Sequence, residues 1–244
     1  MKFIAGIDDT DNLESRGTGH RVRMLAQEWE SNNLAIVHSI SRHQLLFDRR
    51  IPYTSHNSSA AIVFESNDFK GICSFSFNYL NYNSAEGSDA GLCIIEENKI
   101  NKEIIKWGQK AKTDILLFDD AKNIALKHNI YLRGITGDHG GIIGALAAVG
   151  LRKQGNDGRI LWMRGLRELN KDCSVYDLKT IYNIESIVDA KYKEIENNTI
   201  IELHSWIRPI IINNKITLFV ENTEQYDTNK RKLASKEFIK SISK

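Results

Sequence analysis

The chain is poor in cysteine and in long apolar runs, and both absences exclude classes of protein. Its three cysteines, Cys73, Cys93 and Cys173, are isolated and odd in number. They form neither a disulfide framework nor the CxxC pairs of a zinc site. Free thiols are typical of a reducing compartment, and we therefore expect a cytoplasmic protein.

No apolar run approaches the ~20 residues of a membrane-spanning helix, so we expect no membrane partner. Residues 1–4 lead directly into the first predicted strand, and we expect no signal peptide. The net charge of +2 predicts neither a strongly basic nor a strongly acidic partner. The 244 residues, 41% hydrophobic and 26% charged, indicate a globular protein of one or two domains, whose oligomeric state the sequence leaves open.

Three carboxylates follow the first predicted strand within four positions. Phe3-Ile4-Ala5 is typical of a short buried strand, and Asp8, Asp9 and Asp11 come directly after it. Carboxylates this close repel one another unless a cation or hydrogen-bond donors hold them. Mg²⁺ is usually bound by one or two carboxylates together with substrate phosphates. The turn is therefore a candidate magnesium site; the alternative is an acidic turn that caps a helix.

Two glycine-rich loops each precede a predicted helix. The first is Gly17-Thr18-Gly19, and the second runs from Gly134 to Gly141. Backbone N–H groups at a helix N-terminus are donors for an anion. A single such loop is weak evidence, whereas two loops together with an acidic turn favour a metal–phosphate site.

Periodicity and turn residues predict the remaining elements. Predicted helices cover residues 21–30, 69–80, 101–110, 119–128, 142–150 and 174–182, and predicted strands cover 34–40, 60–64, 92–95, 160–162, 200–207, 210–212 and 216–220. Asn101 and Asp119 are candidate helix caps. Asn213-Asn214 is typical of a hairpin turn. The basic segment 230–244 suggests a terminal helix, either solvated or in contact with nucleic acid.

Three motifs resemble a known family. They are Gly6-Ile7-Asp8-Asp9-Thr10-Asp11, Ile51-Pro52-Tyr53 with Asn57, and the run from Ile143 to Gly150. They stand in the order found in archaeal tRNA-isoleucine agmatidine synthetase, and the resemblance covers roughly residues 1–165. That enzyme uses ATP to phosphorylate a cytidine of the anticodon and then replaces the phosphate with agmatine.

The resemblance implies an α/β (α+β) fold with two domains. We expect a mixed sheet with flanking helices over residues 1–130, forming a kinase-like nucleotide-binding domain. A ferredoxin-like α/β unit with a basic C-terminal helix is expected over 131–244. Because the chain ends at Lys244, we expect a short relative without the family's C-terminal nucleic-acid and zinc-ribbon domains.

The resemblance also implies roles for individual residues, with ATP and Mg²⁺ as cofactors. The candidates are Asp8, Asp9 and His20 as catalytic residues, Asp8, Asp9 and Asp11 as metal ligands, and Thr10, Gly17, Thr18, Gly19, Asn57, Gly91, Gly140 and Gly141 as residues that bind the nucleotide. His20 marks a departure, because it occupies the position of the threonine that becomes phosphorylated in the family. We consider it a phosphate donor, a base or a phosphorylated intermediate.

Three hypotheses follow from these observations. The first is an ATP- and Mg²⁺-dependent phosphotransferase or ligase-like enzyme, with a nucleoside, a tRNA or a small molecule as acceptor. The second is a non-catalytic nucleotide-binding module, and the third is a protein that binds RNA through its basic tail. Phosphoryl transfer needs a metal, positioned phosphates and donors more than covalent chemistry, which suits the residues present.

Overall fold

The computed structural model describes residues 1–53, 56–169, 171–203, 207–223 and 229–243. These residues form two compact units, Met1–Gln154 and Gly155–Lys244. The first unit therefore extends beyond residue 130, where the sequence analysis set its domain boundary. The division into a kinase-like and a ferredoxin-like domain stays a prediction.

The first unit is an antiparallel sheet covered by helices. In chain order it contains β1 (Lys2–Asp8), α1 (Thr18–Ser31), β2 (Ile36–Gln44), β3 (Ser58–Glu65), α2 (Phe69–Asn83), β4 (Gly91–Glu96), a 3-10 turn (Glu97–Lys99), α3 (Lys102–Lys110), α4 (Phe118–Lys127), β5 (Tyr131–Gly134) and α5 (Ile142–Gln154). The strand order is β5-β4-β1-β3-β2, and every neighbouring pair is antiparallel. Strand β1 thus lies at the centre of the sheet, and its end carries the acidic turn.

One face of this sheet is covered by α1 and α2. Apolar side chains on α1 recur at helical spacing and are buried: Val22, Leu25, Ala26 and Trp29. The Trp29 ring lies 4.7 Å from that of Phe64 on β3, and Phe3 on β1 stacks on Phe64 at 5.5 Å. Because side chains alternate along a strand, Phe3 faces α1 while its neighbour Ile4 faces the opposite side.

The opposite face is covered by α5, which packs very close to the sheet. Ile4 shares a buried cluster with Ala145 and Val149 of α5 and with Trp107 of α3. A Cβ atom on Gly6 would overlap the carbonyl oxygen of Ala145. Glycine in β1 and small residues in α5 therefore allow the helix to approach the end of the strand.

The predicted α/β fold is confirmed, with one difference in position. The succession β1-α1-β2-β3-α2-β4 is a ferredoxin-like arrangement, and we find it in residues 2–96, whereas the sequence analysis expected it after residue 130. Local patterns do not reveal which strands pair. The sheet in 2–96 is also purely antiparallel; mixed pairing occurs in the second unit.

Helix caps are partly as predicted. The side chain of Asn101 accepts hydrogen bonds from the N–H groups of Glu103 and Ile104 at 2.9 and 3.2 Å, which confirms it as the cap of α3. The predicted cap at Asp119 is wrong, because α4 begins at Phe118 and Asp119 lies in its first turn.

The second unit contains seven strands and two helices among its described residues. They are β6 (Arg159–Met163), β7 (Cys173–Ser174), α6 (Val175–Thr180), β8 (Ser186–Val188), β9 (Ile200–Glu202), β10 (Ile210–Ile212), β11 (Lys215–Asn222), β12 (Lys230–Leu233) and α7 (Lys236–Ile242). Strand β11 pairs with β10 and β12 antiparallel and with β8 parallel, so pairing here is mixed. Asn213 and Asn214 both have positive φ, as a two-residue hairpin turn requires. Residues 204–206 of the predicted strand 200–207 lie outside the described residues.

The basic C-terminal segment is not one helix, which corrects the prediction. Lys230–Leu233 forms β12 between β11 and β9, and α7 follows only from Lys236. Two of its cations lie near acidic neighbours, since Lys232 is 3.6 Å from Glu221 and Lys230 is 3.9 Å from Glu202. Counting positive charge in sequence could not reveal these cross-strand neighbours.

Within the described ranges, no helix combines the length and hydropathy needed to cross a membrane.

Candidate functional site

The candidate site lies where β1 ends and α5 begins. Asp8 is the last residue of β1, and Asp9 follows it with a φ of 53°. Aspartate tolerates this left-handed conformation better than most residues, so the chain turns sharply here. The turn keeps both carboxylates close to the end of the sheet.

Helix α5 presses its glycine-rich start against this turn. A Cβ atom on Gly144 would overlap Oδ2 of Asp8. A Cβ on Gly141 would lie 3.0 Å from the main-chain oxygen of Asp8, and one on Gly91 would overlap the backbone of Gly141. These three glycines therefore serve close packing. Gly91, predicted to bind the nucleotide, makes room for the start of α5.

A fourth carboxylate, Asp89, joins the group, and the sequence analysis did not include it. Its main-chain oxygen accepts a hydrogen bond from Gly141 N at 2.8 Å. Its Oδ1 accepts one from Asp138 N at 2.6 Å. Asp89 thus connects the loop before β4 to the loop before α5, and it adds negative charge near Asp9.

Two carboxylates of this group, Asp8 and Asp9, have raised pKa values. Burial raises the pKa of Asp8 to about 8, and the neighbouring charge of Asp9 adds to the shift. Burial also raises the pKa of Asp9 to about 6, and the negative charges of Asp89 and Asp11 add to this shift. Burial and, to a smaller extent, the neighbouring negative charges disfavour the ionised forms, and a bound cation would favour them.

Asp11 has a different environment from Asp8 and Asp9. Its Oδ1 accepts hydrogen bonds from Thr18 N at 3.0 Å and from Thr18 Oγ1 at 2.6 Å, at the start of α1. Thr10 is buried, and its N–H donates to Thr18 Oγ1 at 3.1 Å. Asp11 therefore anchors the first turn of α1, which is the helix-capping alternative raised by the sequence, and Thr10 supports the same contact.

The predicted three-carboxylate metal set is not preassembled. Among the residues that the structure describes, no group of three or more His, Cys, Asp or Glu side chains is arranged to hold a metal ion. The donor chemistry of Asp8 and Asp9 nevertheless suits Mg²⁺, because this ion needs only one or two carboxylates beside phosphate oxygens. The metal role of Asp8, Asp9 and Asp11 stays a prediction.

The carboxylates open onto a first cavity of about 160 Å³ within the first unit. Its polar end is formed by Asp8, Asp9, Asp11, Thr18, Asp89, Gly140, Gly141 and Gly144. Its other walls include Leu45, Ile51, Pro52, Tyr53, Ala111, Ile115, Leu116 and Ile143. An acidic, glycine-rich end joined to apolar walls suits a molecule with a charged part and a flat apolar part.

A second cavity of about 200 Å³ adjoins the first. It is lined by Asp11, Gly17, Thr18, Gly19, Arg42, His56, Ser58, Ser59 and Ala60. Asp11, Thr18, His56 and Ser58 belong to the walls of both cavities. The predicted loop Gly17-Thr18-Gly19 therefore lies mainly on the second cavity, whereas Gly140 and Gly141 lie on the first.

Two further predicted residues have separate positions. Asn57 lines the first cavity, but its Nδ2 donates to the carbonyl of Leu46 at 2.7 Å and so fixes the loop between β2 and β3. His20 lies in the first turn of α1, with its N–H donating to Gly17 O at 2.8 Å. His20 is not one of the described residues that line the two cavities.

Comparison with known proteins identifies relatives of this chain. The chain is 29% identical over 163 residues to TiaS of Saccharolobus islandicus, the 2-agmatinylcytidine synthetase for an isoleucine tRNA, a match that covers 62% of this chain and 36% of that protein. The crystal structure of TiaS in complex with that tRNA and ATP matches with a TM-score of 0.55 and 25% identity over 62% of this chain and 36% of that one. The chain is a relative of TiaS.

The match to TiaS is partial in both directions. An uncharacterized protein of Methanocaldococcus jannaschii is 29% identical over 153 residues, covering 62% of this chain and 50% of that protein. The chain thus spans between about a third and a half of the length of these curated relatives. No family model matches it. The resemblance to agmatidine synthetase inferred from the sequence motifs is confirmed.

Proposed function

We propose that the chain is an ATP- and Mg²⁺-dependent phosphotransferase or ligase-like enzyme whose nucleotide occupies the first cavity. The observation that carries this proposal is the arrangement of four carboxylates, Asp8, Asp9, Asp11 and Asp89, and the start of α5 at one end of a cavity whose other walls are largely apolar. The relationship to TiaS, one structure of which is a complex with an isoleucine tRNA and ATP, supports the choice of nucleotide.

The apolar walls are suited to the nucleoside. Tyr53 lies on the loop between β2 and β3, and Ile115 and Leu116 lie on the loop between α3 and α4. The two loops are joined by a hydrogen bond from Leu46 N to the carbonyl of Ala111 at 2.9 Å. A flat base placed between these loops would be shielded from water on both faces.

The polar end is suited to the phosphates. Gly140 and Gly141 immediately precede α5, whose first turn contains no acidic residue. The start of this 13-residue helix carries the positive end of the helix dipole, which favours an anion there. Asp8 and Asp9 would hold Mg²⁺, which when bound neutralises phosphate charge as the phosphoryl group is transferred. Asp89 fixes the loop that presents Gly141.

A non-catalytic nucleotide-binding module is the second candidate. The position of the threonine that becomes phosphorylated in the family is His20 here, and His20 is not among the residues that line either cavity. A module of this kind would bind ATP through the same first cavity without turnover. For the RNA-binding hypothesis, glutamates near Lys230 and Lys232 offset part of the positive charge of the tail.

Turnover measured with defined components tests the proposal. The purified chain is incubated with ATP and Mg²⁺ and a panel of acceptors comprising nucleosides, tRNA and small metabolites. ADP, AMP and phosphate are then quantified, and the acceptors are examined for a mass increase. We expect nucleotide release and a modified acceptor, both lost in Asp8→Asn. Binding of ATP without any turnover across the panel would favour the module, and absence of ATP binding would overturn both.

A further inference from the structure

One further carboxylate lies among the apolar walls of the first cavity. Asp114 lines that cavity on the loop between α3 and α4, beside Ala111 and Ile115. It thus belongs to the wall that suits the nucleoside, away from the glycine-rich end. A ligand that fills the cavity would displace water from this carboxylate. Because an ionised group that loses its water is costly unless donors replace that water, the ligand has to supply hydrogen-bond donors here.

The local structure does not explain an aspartate at this position. Asp114 lies just past the C-terminal end of α3, where its N–H donates to the carbonyl of Lys110 at 2.7 Å. The negative end of a helix dipole disfavours a carboxylate. Within the described part of the chain, the Asp114 side chain has one hydrogen-bond partner, the hydroxyl of Thr113, which donates to Oδ2 at 2.6 Å. Oδ1 is therefore available as an acceptor for a ligand.

Two contacts hold the loop that carries Asp114 against the loop between β2 and β3. Leu46 N donates to the carbonyl of Ala111 at 2.9 Å. The Nζ of Lys112 donates to the carbonyl of Gln44 at 3.3 Å. Both contacts lie within three residues of Asp114. The backbone that presents the carboxylate is therefore positioned before a ligand enters, which lowers the cost of binding.

The ribose of a nucleotide supplies donors that suit Asp114. Phosphate oxygens are repelled, because an ionised carboxylate is an acceptor only and carries the same sign of charge. The amino group of adenine lies beside a ring nitrogen that is itself an acceptor, so that edge of the base opposes a carboxylate. The 2′ and 3′ hydroxyls are adjacent, and both can donate to one carboxylate. The Asp114 side chain is exposed, which suits a ribose at the mouth of the cavity.

We propose that Asp114 selects ribonucleotides by accepting hydrogen bonds from the 2′ and 3′ hydroxyls of the nucleotide bound in the first cavity. This inference rests on the proposed function, because it takes that cavity as the nucleotide site. It adds an orientation, with the ribose beside the loop between α3 and α4 and the phosphates towards Asp8 and the start of α5. Dinucleotide-binding folds use a carboxylate in the same way, to accept a hydrogen bond from a ribose hydroxyl.

Calorimetric titration of the full chain with ATP, 2′-deoxyATP and 3′-deoxyATP, each with Mg²⁺, tests the assignment. We expect wild type to bind ATP about tenfold more tightly than either deoxy analogue, as is usual when one hydrogen bond to a charged group is lost. Asp114→Ala should weaken ATP binding relative to the analogues and bring the three affinities to within about twofold of one another. Comparing ratios removes the general effect of deleting a negative charge near a triphosphate.

Two further variants sharpen the result. Asp120→Ala is the matched control, because Asp120 lies in the first turn of α4 and lines neither cavity. It removes a carboxylate from the same part of the chain and should leave the preference for ATP intact. Asp114→Asn should keep part of the preference, since the amide oxygen still accepts a hydrogen bond. The melting temperature of Asp114→Ala should not fall, because the substitution removes a carboxylate that follows the C-terminal end of a helix.

Several outcomes would overturn the inference. They are equal affinities of wild type for ATP and its two deoxy analogues, and a preference for ATP that persists unchanged in Asp114→Ala. Tighter binding of GTP than of ATP that is lost in Asp114→Ala would also overturn it, because guanine presents two adjacent donors and the carboxylate would then contact the base. Absence of binding of ATP and both analogues would instead contradict the proposed function of the first cavity, on which the inference rests.

Discussion

Gly144 of α5 faces Asp8 of β1 so closely that a Cβ atom at residue 144 would overlap Oδ2 of the carboxylate. The strand and the helix are separated by more than a hundred residues in sequence. Their contact holds the acidic turn in place while leaving its carboxylates at the cavity wall. The glycine therefore determines where the central carboxylate of the candidate site lies.

Gly144→Ala should displace the Asp8 carboxylate and weaken binding of Mg²⁺ and ATP by at least tenfold. The melting temperature should also fall, because overpacking a close contact typically costs about 1–3 kcal/mol. Binding is measured by calorimetry and stability by thermal unfolding. Gly150→Ala is the control, since it overpacks the same helix against the carbonyl oxygen of Ile104 and lines neither cavity. Equal losses of binding in the two variants would contradict the role of the Gly144–Asp8 contact.

Asp8→Asn should raise the stability of the ligand-free protein near pH 8 and abolish Mg²⁺-dependent ATP binding. The folded protein raises the pKa of Asp8 from 3.8 to about 8, mainly through burial. The folded state therefore binds a proton more tightly than the unfolded chain. The resulting stabilisation is complete below pH 3.8 and is lost as the pH rises towards 8. An asparagine at position 8 does not ionise, so the Asp8→Asn variant avoids this loss of stability at high pH.

Thermal unfolding between about pH 5 and pH 8 without divalent cations checks the pH dependence. Wild type should lose stability across this window, and Asp8→Asn should lose less. Its melting temperature near pH 8 should be higher by a few degrees, because ~1 kcal/mol shifts the midpoint by roughly 2–4 °C in a chain of this size. Asp48→Asn is the control. Arg50 lowers the pKa of Asp48, so removing this carboxylate should not stabilise the protein. Parallel pH profiles of wild type and Asp8→Asn would contradict the prediction.

The sequence predicted the local elements well and the assembly of the site only in part. Strand β1, helices α1 and α5 and the Asn213-Asn214 hairpin follow from periodicity and turn residues that act over a few positions. The joining of Asp89 to Asp9 depends on pairing between β1 and β4, which no local pattern encodes. The sequence analysis missed strand β12 for the same reason, because its pairing with β9 and β11 joins separate segments of the chain. The feature of the sequence that could have indicated Asp89 is its position in a loop between two glycines, Gly87 and Gly91.

Asp89→Asn should weaken Mg²⁺-dependent ATP binding while leaving the fold intact. The amide oxygen can still accept the hydrogen bond from Asp138 N, which Asp89 Oδ1 accepts at 2.6 Å. The lost charge should lower the pKa of Asp9, which burial and Asp89 together raise to about 6. NMR titration of the carboxylate carbons measures this shift. Asp138→Asn is the control, because only its backbone takes part in this contact. An unchanged Asp9 pKa with intact ATP binding would make Asp89 a loop anchor only.

Tyr53→Ala should weaken ATP binding without affecting the phosphate end of the first cavity. Tyr53 lines the apolar wall, and its ring lies 4.9 Å from that of Phe47. Stacking of a base on an aromatic ring contributes about 1–3 kcal/mol, so we expect a roughly tenfold loss or more. Pyrophosphate affinity, measured in parallel, should not change. Tyr82→Ala, at a side chain 88% exposed on α2, is the control. Equal losses for ATP and pyrophosphate would place the base elsewhere.

His20→Ala decides whether the residue at the family's phosphorylated threonine position takes part in catalysis. The sequence favoured a catalytic role, since His20 follows Gly17-Thr18-Gly19 at the start of α1. The structure places Gly19 in the wall of the second cavity but not His20. We therefore expect ATP affinity to stay unchanged and turnover of an accepted substrate to fall by less than the ~10²-fold typical of an acid–base group. Mass spectrometry of the protein after incubation with ATP should show no phosphate on His20. A phosphorylated His20, or a loss of turnover beyond that range with ATP binding intact, would restore the catalytic role.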